Sequence, residues 1–214
     1  MDVETIPQQM NAPEQIRTAR LLLRKARRED APLMFAAYAQ DPEVTRYLLW
    51  RPHADVSESY AAIDRFLAAW DAQSEFVWLI FKDRTELIGS IAARKQEDAF
   101  NLGYLLARPF WGRAYMPEAI RAVVDWAFTN PSIRQVWAEC DLENRASARA
   151  LEKSGFVREG VLSQFQIFPN LSPTPRDCYR YVLLRRLLPP SADVRRPTAA
   201  EMSGEMESAG GENS

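Results

Sequence analysis

The pattern of apolar and polar residues along the chain predicts seven strands. Apolar runs alternate with polar stretches that favour turns, and the turns set the approximate limits of each strand. We expect strands at about residues 18–26, 76–82, 86–95, 99–107, 133–141, 157–168 and 176–187.

Four other segments have the apolar spacing of amphipathic helices. The first opens at Asp30 and Pro32, and the second at Asp55, with Glu58 at the spacing of a capping box. Their expected inner faces are Leu33, Met34, Ala37 and Tyr38, and then Tyr60, Ile63, Phe66, Leu67 and Trp70. Strands and helices in this order predict an α+β fold, with one sheet and helices on both of its faces.

The third helix follows the strand at 99–107 after a short loop. Pro117 suits its first turn, because the missing N–H of proline would have no partner there. Apolar residues then recur at helical spacing, at Ile120, Val123, Val124, Ala127 and Phe128. Gly112 and Ala114 keep the loop free of large side chains, so the N–H groups at the helix start can bind a phosphate. A tight turn without a ligand is the alternative interpretation.

The fourth helix follows the strand at 133–141. Asn144 is a typical N-cap and Ser147 lies in the first turn. Gly155, followed by the apolar Phe156, is typical of a left-handed C-cap. A phosphate site, an amide and a hydroxyl are therefore expected along one groove between two neighbouring strands.

Composition and charge predict one domain with polar ends. The formal net charge of the chain is −2. Residues 189–214 carry two arginines and five acidic residues, and they contain no aromatic residue. We expect a flexible segment at 1–14, a folded domain at 15–188 and a disordered acidic tail at 189–214.

The same composition argues against several function classes. No apolar run approaches the ~18 residues of a membrane span, and the N-terminus does not have the layout of a signal peptide. Cys140 and Cys178 alone provide neither a disulfide framework nor a metal site. The near-neutral domain has no basic stripe for nucleic acid. We therefore expect a cytoplasmic protein without a metal, as a monomer or a homodimer.

Several ordered motifs resemble one known family. They are Leu102-Gly103-Tyr104, Trp111-Gly112-Arg113-Ala114-Tyr115, Glu118-Ala119, Asn144-x-x-Ser147, Leu151-Glu152-Lys153-x-Gly155-Phe156, and upstream Thr18-Ala19-Arg20-Leu21-x-Leu23-Arg24 with 41–48. Over about residues 15–186 the chain resembles the GNAT acetyltransferases, specifically the RimJ/RimL-like branch that acetylates ribosomal proteins. The resemblance implies a mostly antiparallel seven-stranded sheet that splays between its fourth and fifth strands, at 99–107 and 133–141.

The resemblance also implies acetyl-CoA as co-substrate, held in the splay. Its pantetheine arm would pair with the backbone of Leu105, Leu106 and Ala107 and would contact Asn144 and Ser147. Its pyrophosphate would bind the backbone N–H groups of Trp111, Gly112, Arg113, Ala114 and Tyr115. Arg108 and Arg113 are either phosphate contacts or ordinary surface residues.

Direct transfer of an acetyl group needs an oxyanion donor, an acid and a base. A backbone N–H near Leu105 is the candidate oxyanion donor. Many family members carry a tyrosine where this chain has Leu151, so Ser147 is the candidate acid, although a capping role explains it equally well. The branch often carries a glutamate where this chain has Asn101, and an amide accepts no proton. Asn101 would then orient the amine, and solvent, Glu139 or Asp141 would take the proton.

The acceptor is the least determined part of the sequence. Trp50, Phe165 and Phe168 are the candidate contacts, beside a proline-rich stretch at 170–175. Without a glutamate at 101, weakly basic amines are favoured, because an α-amine has a pKa of ~7.7–8.0 and lysine ~10.4. Three interpretations remain: an acetyltransferase for protein N-termini, an acetyltransferase for small amines, and a non-catalytic acyl-CoA-binding module.

Overall fold

Eight strands form one sheet in the computed structural model, which describes residues 11–185. Their order across the sheet is β1-β2-β3-β4-β5-β6-β8-β7, and every neighbouring pair is antiparallel except β5 and β6. Their bounds are β1 Gln15–Arg17, β2 Leu21–Lys25, β3 Glu75–Lys82, β4 Glu86–Gln96, β5 Ala99–Leu106, β6 Gln135–Asp141, β7 Val157–Gln166 and β8 Arg176–Leu184.

The predicted strand at 18–26 forms as β2, three residues shorter at its start, and the strand β1 that precedes it was not predicted, so the sheet has eight strands and not seven. The segment turns back on itself at Thr18, whose backbone N–H donates to the Leu21 carbonyl at 3.0 Å. The hydroxyl of Thr18 accepts the N–H of Leu21 at 2.9 Å, which stabilises the turn. β1 and β2 are therefore the two arms of a hairpin.

The chain upstream of the predicted domain boundary already contacts the sheet. The Pro13 carbonyl accepts the indole N–H of Trp78, and the Glu14 carbonyl accepts the N–H of Lys25. The predictions for residues 1–10 and for the tail at 189–214 lie outside the described residues.

The α-helices are α1 Ala31–Met34, α2 Pro42–Thr45, α3 Val56–Asp71, α4 Tyr115–Ala127 and α5 Arg145–Lys153. Short 3₁₀ turns lie at Arg28–Asp30 and Arg108–Phe110, and a π-helical turn at Phe35–Ala39. In residues 11–185, none of the helices has the length and apolar character required to span a membrane.

The predicted helix ends are confirmed, and in the first helix Asp30 is the N-cap and Pro32 lies in the first turn. Asp55 caps α3 by accepting the N–H of Ser57 at 2.7 Å, and Gly155 follows α5 with a φ of +91°. The first helix is divided into 3₁₀, α and π turns. Met34 and Tyr38 are buried as predicted, whereas Leu33 is 51 % exposed, so its predicted burial is wrong.

Helices cover both faces of the sheet, as predicted. α4 and α5 pack on one face over an aromatic cluster, whose members are Trp70, Phe76, Trp78, Phe100 and Trp126. The turns around α1 and helix α3 pack on the other face over β2, β3 and β4. On this second face, the part of the sheet formed by β5, β6 and β8 is not covered by these helices. A cavity lies over that part.

β5 and β6 separate after a short parallel contact. They pair at Ala99 with Gln135, at Phe100 with Val136 and at Asn101 with Trp137, and the ladder ends there. β6 then continues against β8, and β5 against β4. The predicted splay between these two strands is confirmed, and it leaves a cleft in the middle of the sheet.

Candidate active site

The loop between β5 and α4 presents a group of backbone donors. Gly112 and Ala114 have positive φ angles of +74° and +59°, and no side chain caps the start of α4. The N–H groups of Gly112, Arg113, Ala114 and Tyr115 donate to no protein group within residues 11–185. A Cβ added to Gly112 would meet nothing within 4 Å. A concave row of N–H groups at the start of a thirteen-residue helix suits an anion.

Two nearby predicted contacts are engaged elsewhere. The N–H of Trp111 donates to the Arg108 carbonyl at 3.1 Å, so it is not part of the free row. The indole of Trp111 donates to the Leu106 carbonyl at 2.7 Å, which fixes the ring. The guanidinium of Arg108 pairs with Asp41 at 2.7 Å, whereas the Arg113 side chain has no ion-pair partner within residues 11–185.

The cleft receives backbone groups from alternate residues of β5. Ala107 donates its N–H to Ile88 of β4 at 2.8 Å, and Asp98 accepts an N–H from Arg134 on the β6 side. Because N–H and C=O directions alternate along a strand, Leu105 faces β4, while Tyr104 and Leu106 face the cleft. The prediction that Leu105 donates its N–H to the cleft is therefore wrong.

The other wall of the cleft is the start of α5. The Oδ1 atom of Asn144 accepts the N–H of Ser147 at 3.1 Å, as expected of an N-cap, which leaves the Nδ2 hydrogens of Asn144 available. The hydroxyl of Ser147 lies 2.8 Å from the Tyr104 hydroxyl. Tyr104 extends from β5, so this bond crosses the cleft and links its two walls.

The tyrosine and the cysteine beside Ser147 are both protonated at neutral pH. Burial raises the pKa of Tyr104 well above its ordinary value of 10, although the Ser147 hydroxyl opposes this. Burial also raises the pKa of Cys140 to about 11. A protonated, buried thiol is a weak nucleophile, and a protonated Tyr104 hydroxyl can either donate to the Ser147 hydroxyl or accept from it.

A cavity of about 420 Å³ opens on the second face of the sheet, beside the cleft. Asn101, Glu139 and Leu105 contribute to its wall, and Trp50, Phe165 and Phe168 do so as well. Further aromatic side chains surround it, namely Tyr38, Tyr47, Phe66 and Trp137. The three predicted acceptor contacts and Asn101 therefore meet in one place.

Glu139 is one of two glutamates that line this cavity, and the other is Glu75. Asn101 donates its Nδ2–H to one oxygen of Glu139 at 3.1 Å, and Arg94 donates to the other side of Asn101 at 3.3 Å. The second Glu139 oxygen is buried without a hydrogen bond, and Arg180 lies 3.7 Å from it. Burial raises the pKa of Glu139, and the opposing effects of Arg180 and Asn101 are smaller.

The second carboxylate that the sequence suggested is occupied. Asp141 is fully buried and accepts two hydrogen bonds from Arg176, at 2.5 and 3.2 Å. His53, which also lines the cavity, lies with its Nδ1 2.7 Å from the Ser59 hydroxyl, and burial lowers its pKa. Glu75 pairs with Arg94 at 3.0 Å. Glu139, one oxygen of which accepts no hydrogen bond within residues 11–185, is therefore the acidic group that the cavity makes available.

Two loops form the outer wall of the cavity. Asn170 donates its side-chain amide to the carbonyls of Thr45, at 2.7 Å, and Trp50, at 2.8 Å. This joins the loop after β7 to the loop after α2. Large apolar side chains remain exposed around this region: Leu49, Phe165 and Ile167.

Sequence reasoning assigned no role to Tyr104 and weighed Glu139 only as one of several acids. The Gly103-Tyr104 pair was recognised as a motif, yet nothing in it indicates that the hydroxyl reaches Ser147, 43 residues away. Glu139 lies 38 residues from Asn101 on another strand. Only the pairing of β5 with β6 brings them together.

The splayed strands, the row of N–H groups and the adjoining cavity are accompanied by a direct family match. Residues 20–157, more than half of the chain, match the acetyltransferase (GNAT) domain. The chain belongs to the GNAT acetyltransferase family. The GNAT fold and the class of enzyme predicted from the sequence, an acetyltransferase, are thereby confirmed.

Two bacterial GNAT relatives are similar over most of their length. The uncharacterized N-acetyltransferase p20 of Bacillus licheniformis is 30% identical, over 81% of this chain and 97% of the relative. The uncharacterized N-acetyltransferase YoaA of Bacillus subtilis (strain 168) is 32% identical, over 78% of this chain and 96% of the relative. Both names agree with N-acetyl transfer.

Solved structures of GNAT enzymes have the same fold. The microcin C7 self-immunity acetyltransferase MccE, in complex with acetyl-CoA and AMP, aligns with a TM-score of 0.72 at 18% identity, over 78% of this chain and 93% of its own. The ribosomal L7/L12 α-N-protein acetyltransferase RimL, in complex with coenzyme A, aligns with a TM-score of 0.72 at 21% identity, over 80% and 98%. The resemblance to the RimJ/RimL-like branch is confirmed as a likeness of fold, and the ligands of both structures agree with the predicted co-substrate.

Proposed function

We propose that this acetyltransferase transfers the acetyl group of acetyl-CoA directly to the α-amine of a protein or peptide N-terminus. The observation that carries the proposal is the Glu139 carboxylate, which lies in the wall of an aromatic cavity beside the cleft between β5 and β6. A base at this place can take a proton from an amine in the cavity while the amine attacks a thioester in the adjoining cleft.

The described residues fit acetyl-CoA. The row of N–H groups from Gly112 to Tyr115 suits its pyrophosphate, and the cleft-facing backbone of Tyr104 and Leu106 suits the amides of its pantetheine arm. The free Nδ2 hydrogens of Asn144 add a donor at the opposite wall. Acetyl-CoA supplies the thioester, whose acetyl group is transferred and whose sulfur leaves.

Glu139 is the proposed general base. Its raised pKa brings it closer to neutrality, where a base is most effective. It takes the proton that the amine loses as its nitrogen forms the new bond. An α-amine, with a pKa of ~7.7–8.0, is already partly neutral at physiological pH and makes a small demand on this base. Asn101 holds one carboxylate oxygen and leaves the other free to accept the proton.

Ser147 is the proposed proton donor to the departing sulfur, a water molecule returns a proton to the serine oxygen, and Tyr104 is the positioning residue of Ser147. If Tyr104 donates to the Ser147 oxygen, the serine proton is left to point into the cleft. The raised pKa of Tyr104 keeps its hydroxyl protonated, which this donation requires. The cleft-facing N–H of Tyr104 replaces that of Leu105 as the proposed oxyanion donor, which leaves the Tyr104 carbonyl and the Leu106 N–H to pair with the pantetheine arm.

The surroundings of the cavity support an acceptor that extends beyond the amine. Leu49 and Phe165 line the cavity and are exposed, and Ile167 is exposed one residue from the strand end. Exposed apolar groups around a cavity are typical of a surface that contacts a larger partner. A polypeptide can place its N-terminal amine inside and rest its following residues on this surface.

A small amine is the second candidate acceptor. A cavity of about 420 Å³ lies within the range of small-molecule sites, and the Asn170 bridge closes it on one side. An amine on a compact apolar body would fill such a space without needing the outer surface.

Thiol release from acetyl-CoA, measured against a panel of peptides with varied N-termini and a panel of small amines, tests the proposal. We expect turnover of peptides. Phe165→Ala should raise the KM for peptide about tenfold, because an apolar contact is lost, and should leave the KM for acetyl-CoA unchanged. Val161→Ala is the matched control, because Val161 is an exposed residue of the same strand that does not line the cavity.

Each remaining outcome has a definite meaning. Turnover confined to small amines, with no effect of Phe165→Ala, would contradict the peptide acceptor and favour the second candidate. Binding of acetyl-CoA without turnover of any amine would contradict the assigned base and acid. No binding of acetyl-CoA would contradict the donor.

A further inference from the structure

Residues 18–20 belong to a motif that resembles the family, yet they have no place in the predicted site. In the structure they form the turn between β1 and β2 and reach the loop before α4. The guanidinium of Arg20 donates to the carbonyl of Arg113 at 3.1 Å and to that of Ala114 at 3.2 Å. It also lies 4.5 Å from the centre of the Tyr115 ring. Arg20 thus contacts three successive residues of the loop whose N–H groups form the free row.

Glu118, in the first turn of α4, holds Arg20 in this position. One carboxylate oxygen accepts the Arg20 side-chain Nε–H at 2.7 Å, and the other accepts the Arg20 backbone N–H at 2.9 Å and the Thr18 hydroxyl at 2.6 Å. Burial raises the pKa of Glu118, but the hydrogen bonds from Thr18 and Arg20 outweigh it, so the pKa lies below its usual value. The carboxylate is ionised, and its charge is balanced by Arg20 instead of repelling an anion at the loop.

The contacts of Arg20 with the two carbonyl groups also fix the direction of the N–H group that follows each carbonyl. In a trans peptide, the C=O of one residue and the N–H of the next point in opposite directions. Holding the carbonyl of Arg113 therefore turns the N–H of Ala114 to the other side of the chain, and holding the carbonyl of Ala114 turns the N–H of Tyr115. Ala114 has a left-handed φ of +59°, which an alanine keeps only where its surroundings fix it.

We infer that Arg20 is a positioning residue for acetyl-CoA: held by Glu118 and Thr18, it aims the N–H groups of Ala114 and Tyr115 at the pyrophosphate. Arg20 contacts carbonyl oxygens of the loop and not the ligand. The inference rests on the proposed function, which assigns the pyrophosphate to this loop. The inference requires the forked geometry of the guanidinium, which contacts two carbonyl oxygens at once, and a positive charge alone is not sufficient.

Two donors separate positioning from a general structural role. S-acetylpantetheine has the pantetheine arm and thioester of acetyl-CoA but lacks its phosphates, so it does not bind the N–H groups of the loop. In Arg20→Gln and Arg20→Lys, we expect the KM for acetyl-CoA and the calorimetric Kd of coenzyme A to rise about tenfold or more. The kcat/KM for S-acetylpantetheine should stay at its wild-type value.

Arg17→Gln is the matched control. Arg17 lies in the same hairpin and its substitution changes the charge equally. Among the described residues 11–185, its side chain donates only to the exposed Gln15, at 3.4 Å. It should leave the affinity for coenzyme A unchanged. A similar weakening in Arg17→Gln would mean that the net charge of the hairpin, and not the fork of Arg20, controls binding, and would overturn the inference.

Two further results would overturn it. Equal losses with both donors in Arg20→Gln would show that Arg20 stabilises the fold in general. Wild-type affinity in Arg20→Lys would show that a positive charge suffices. A wild-type enzyme that uses both donors equally, and binds coenzyme A no more tightly than pantetheine, would contradict the phosphate site itself, which is a failure of the proposed function.

Discussion

The side-chain amide of Asn101 donates a hydrogen bond of 3.1 Å to the carboxylate of Glu139, across the point where β5 and β6 separate. The carboxylate therefore lies on β6, next to the position on β5 where the resembling branch often carries one. The amide holds one oxygen of Glu139, and the cavity receives a carboxylate whose pKa is raised by burial.

Glu139→Gln should lower kcat/KM at neutral pH by about 10²–10⁴, the usual contribution of a general base. Glu159→Gln is the matched control, because Glu159 also pairs with Arg180, at 3.0 Å, but is 56 % exposed and outside the cavity. Steady-state kinetics with acetyl-CoA and a peptide acceptor measure both variants. Equal activity of Glu139→Gln and wild type would exclude Glu139 as the base.

The pH dependence of kcat/KM should report the same group. A protonated carboxyl accepts no proton, so the rate falls as the pH falls through the pKa of Glu139. Because burial raises that pKa, the acidic limb should lie above ~4.3, the ordinary value for glutamate. Asn101→Leu removes a hydrogen bond that lowers the pKa, and should shift this limb to higher pH. A limb that does not move in Asn101→Leu would contradict the coupling between the two residues.

Tyr104 and Ser147 should act as one unit. Ser147→Ala should lower kcat by about tenfold to a hundredfold, the range expected for a hydrogen bond to a charged group. Tyr104→Phe should lower it less, because the hydroxyl acts through Ser147. In the double variant, the tyrosine substitution should add no further loss, since its partner is already absent. Additive losses would show that the two hydroxyls act independently.

Gly89 should tolerate no side chain. A Cβ at this position would overlap the carbonyl oxygen of Leu105 and would lie 3.1 Å from the Cα of Leu106. Gly89→Ala should lower the free energy of unfolding by about 1–3 kcal/mol or more, because backbone atoms must move. A Cβ at Gly160 would meet no atom within 4 Å, so Gly160→Ala should change stability little. Urea unfolding compares the two, and equal stabilities would contradict the close approach of β4 and β5.

Local patterns predicted the helices well where a cap defined an end. Asp55 and Asn144 accept the N–H groups that their positions require, and Gly155 adopts the left-handed conformation. The errors fall where the local backbone departs from a regular strand or helix. The turn at Thr18 delays the start of β2 and separates it from the unpredicted β1, and Leu33 is exposed where the first helix is irregular.

The error at Leu105 has a different origin. The sequence marks the strand and its end, but the direction of each N–H depends on which partner strand the residue faces. The register with β4 directs Leu105 away from the cleft and Tyr104 toward it. A one-residue change of register would exchange the two.

The sequence by itself determined the order of the elements, the loop with free N–H groups and the residues that cap the helices, because these depend on neighbours within a few positions of the chain. The tertiary structure alone decided three pairs: Asn101 with Glu139, Tyr104 with Ser147, and Arg20 with Glu118, which are 38, 43 and 98 residues apart. Each pair depends on strand register and on where a helix packs. These are set by the burial of the whole core, and no local pattern encodes them.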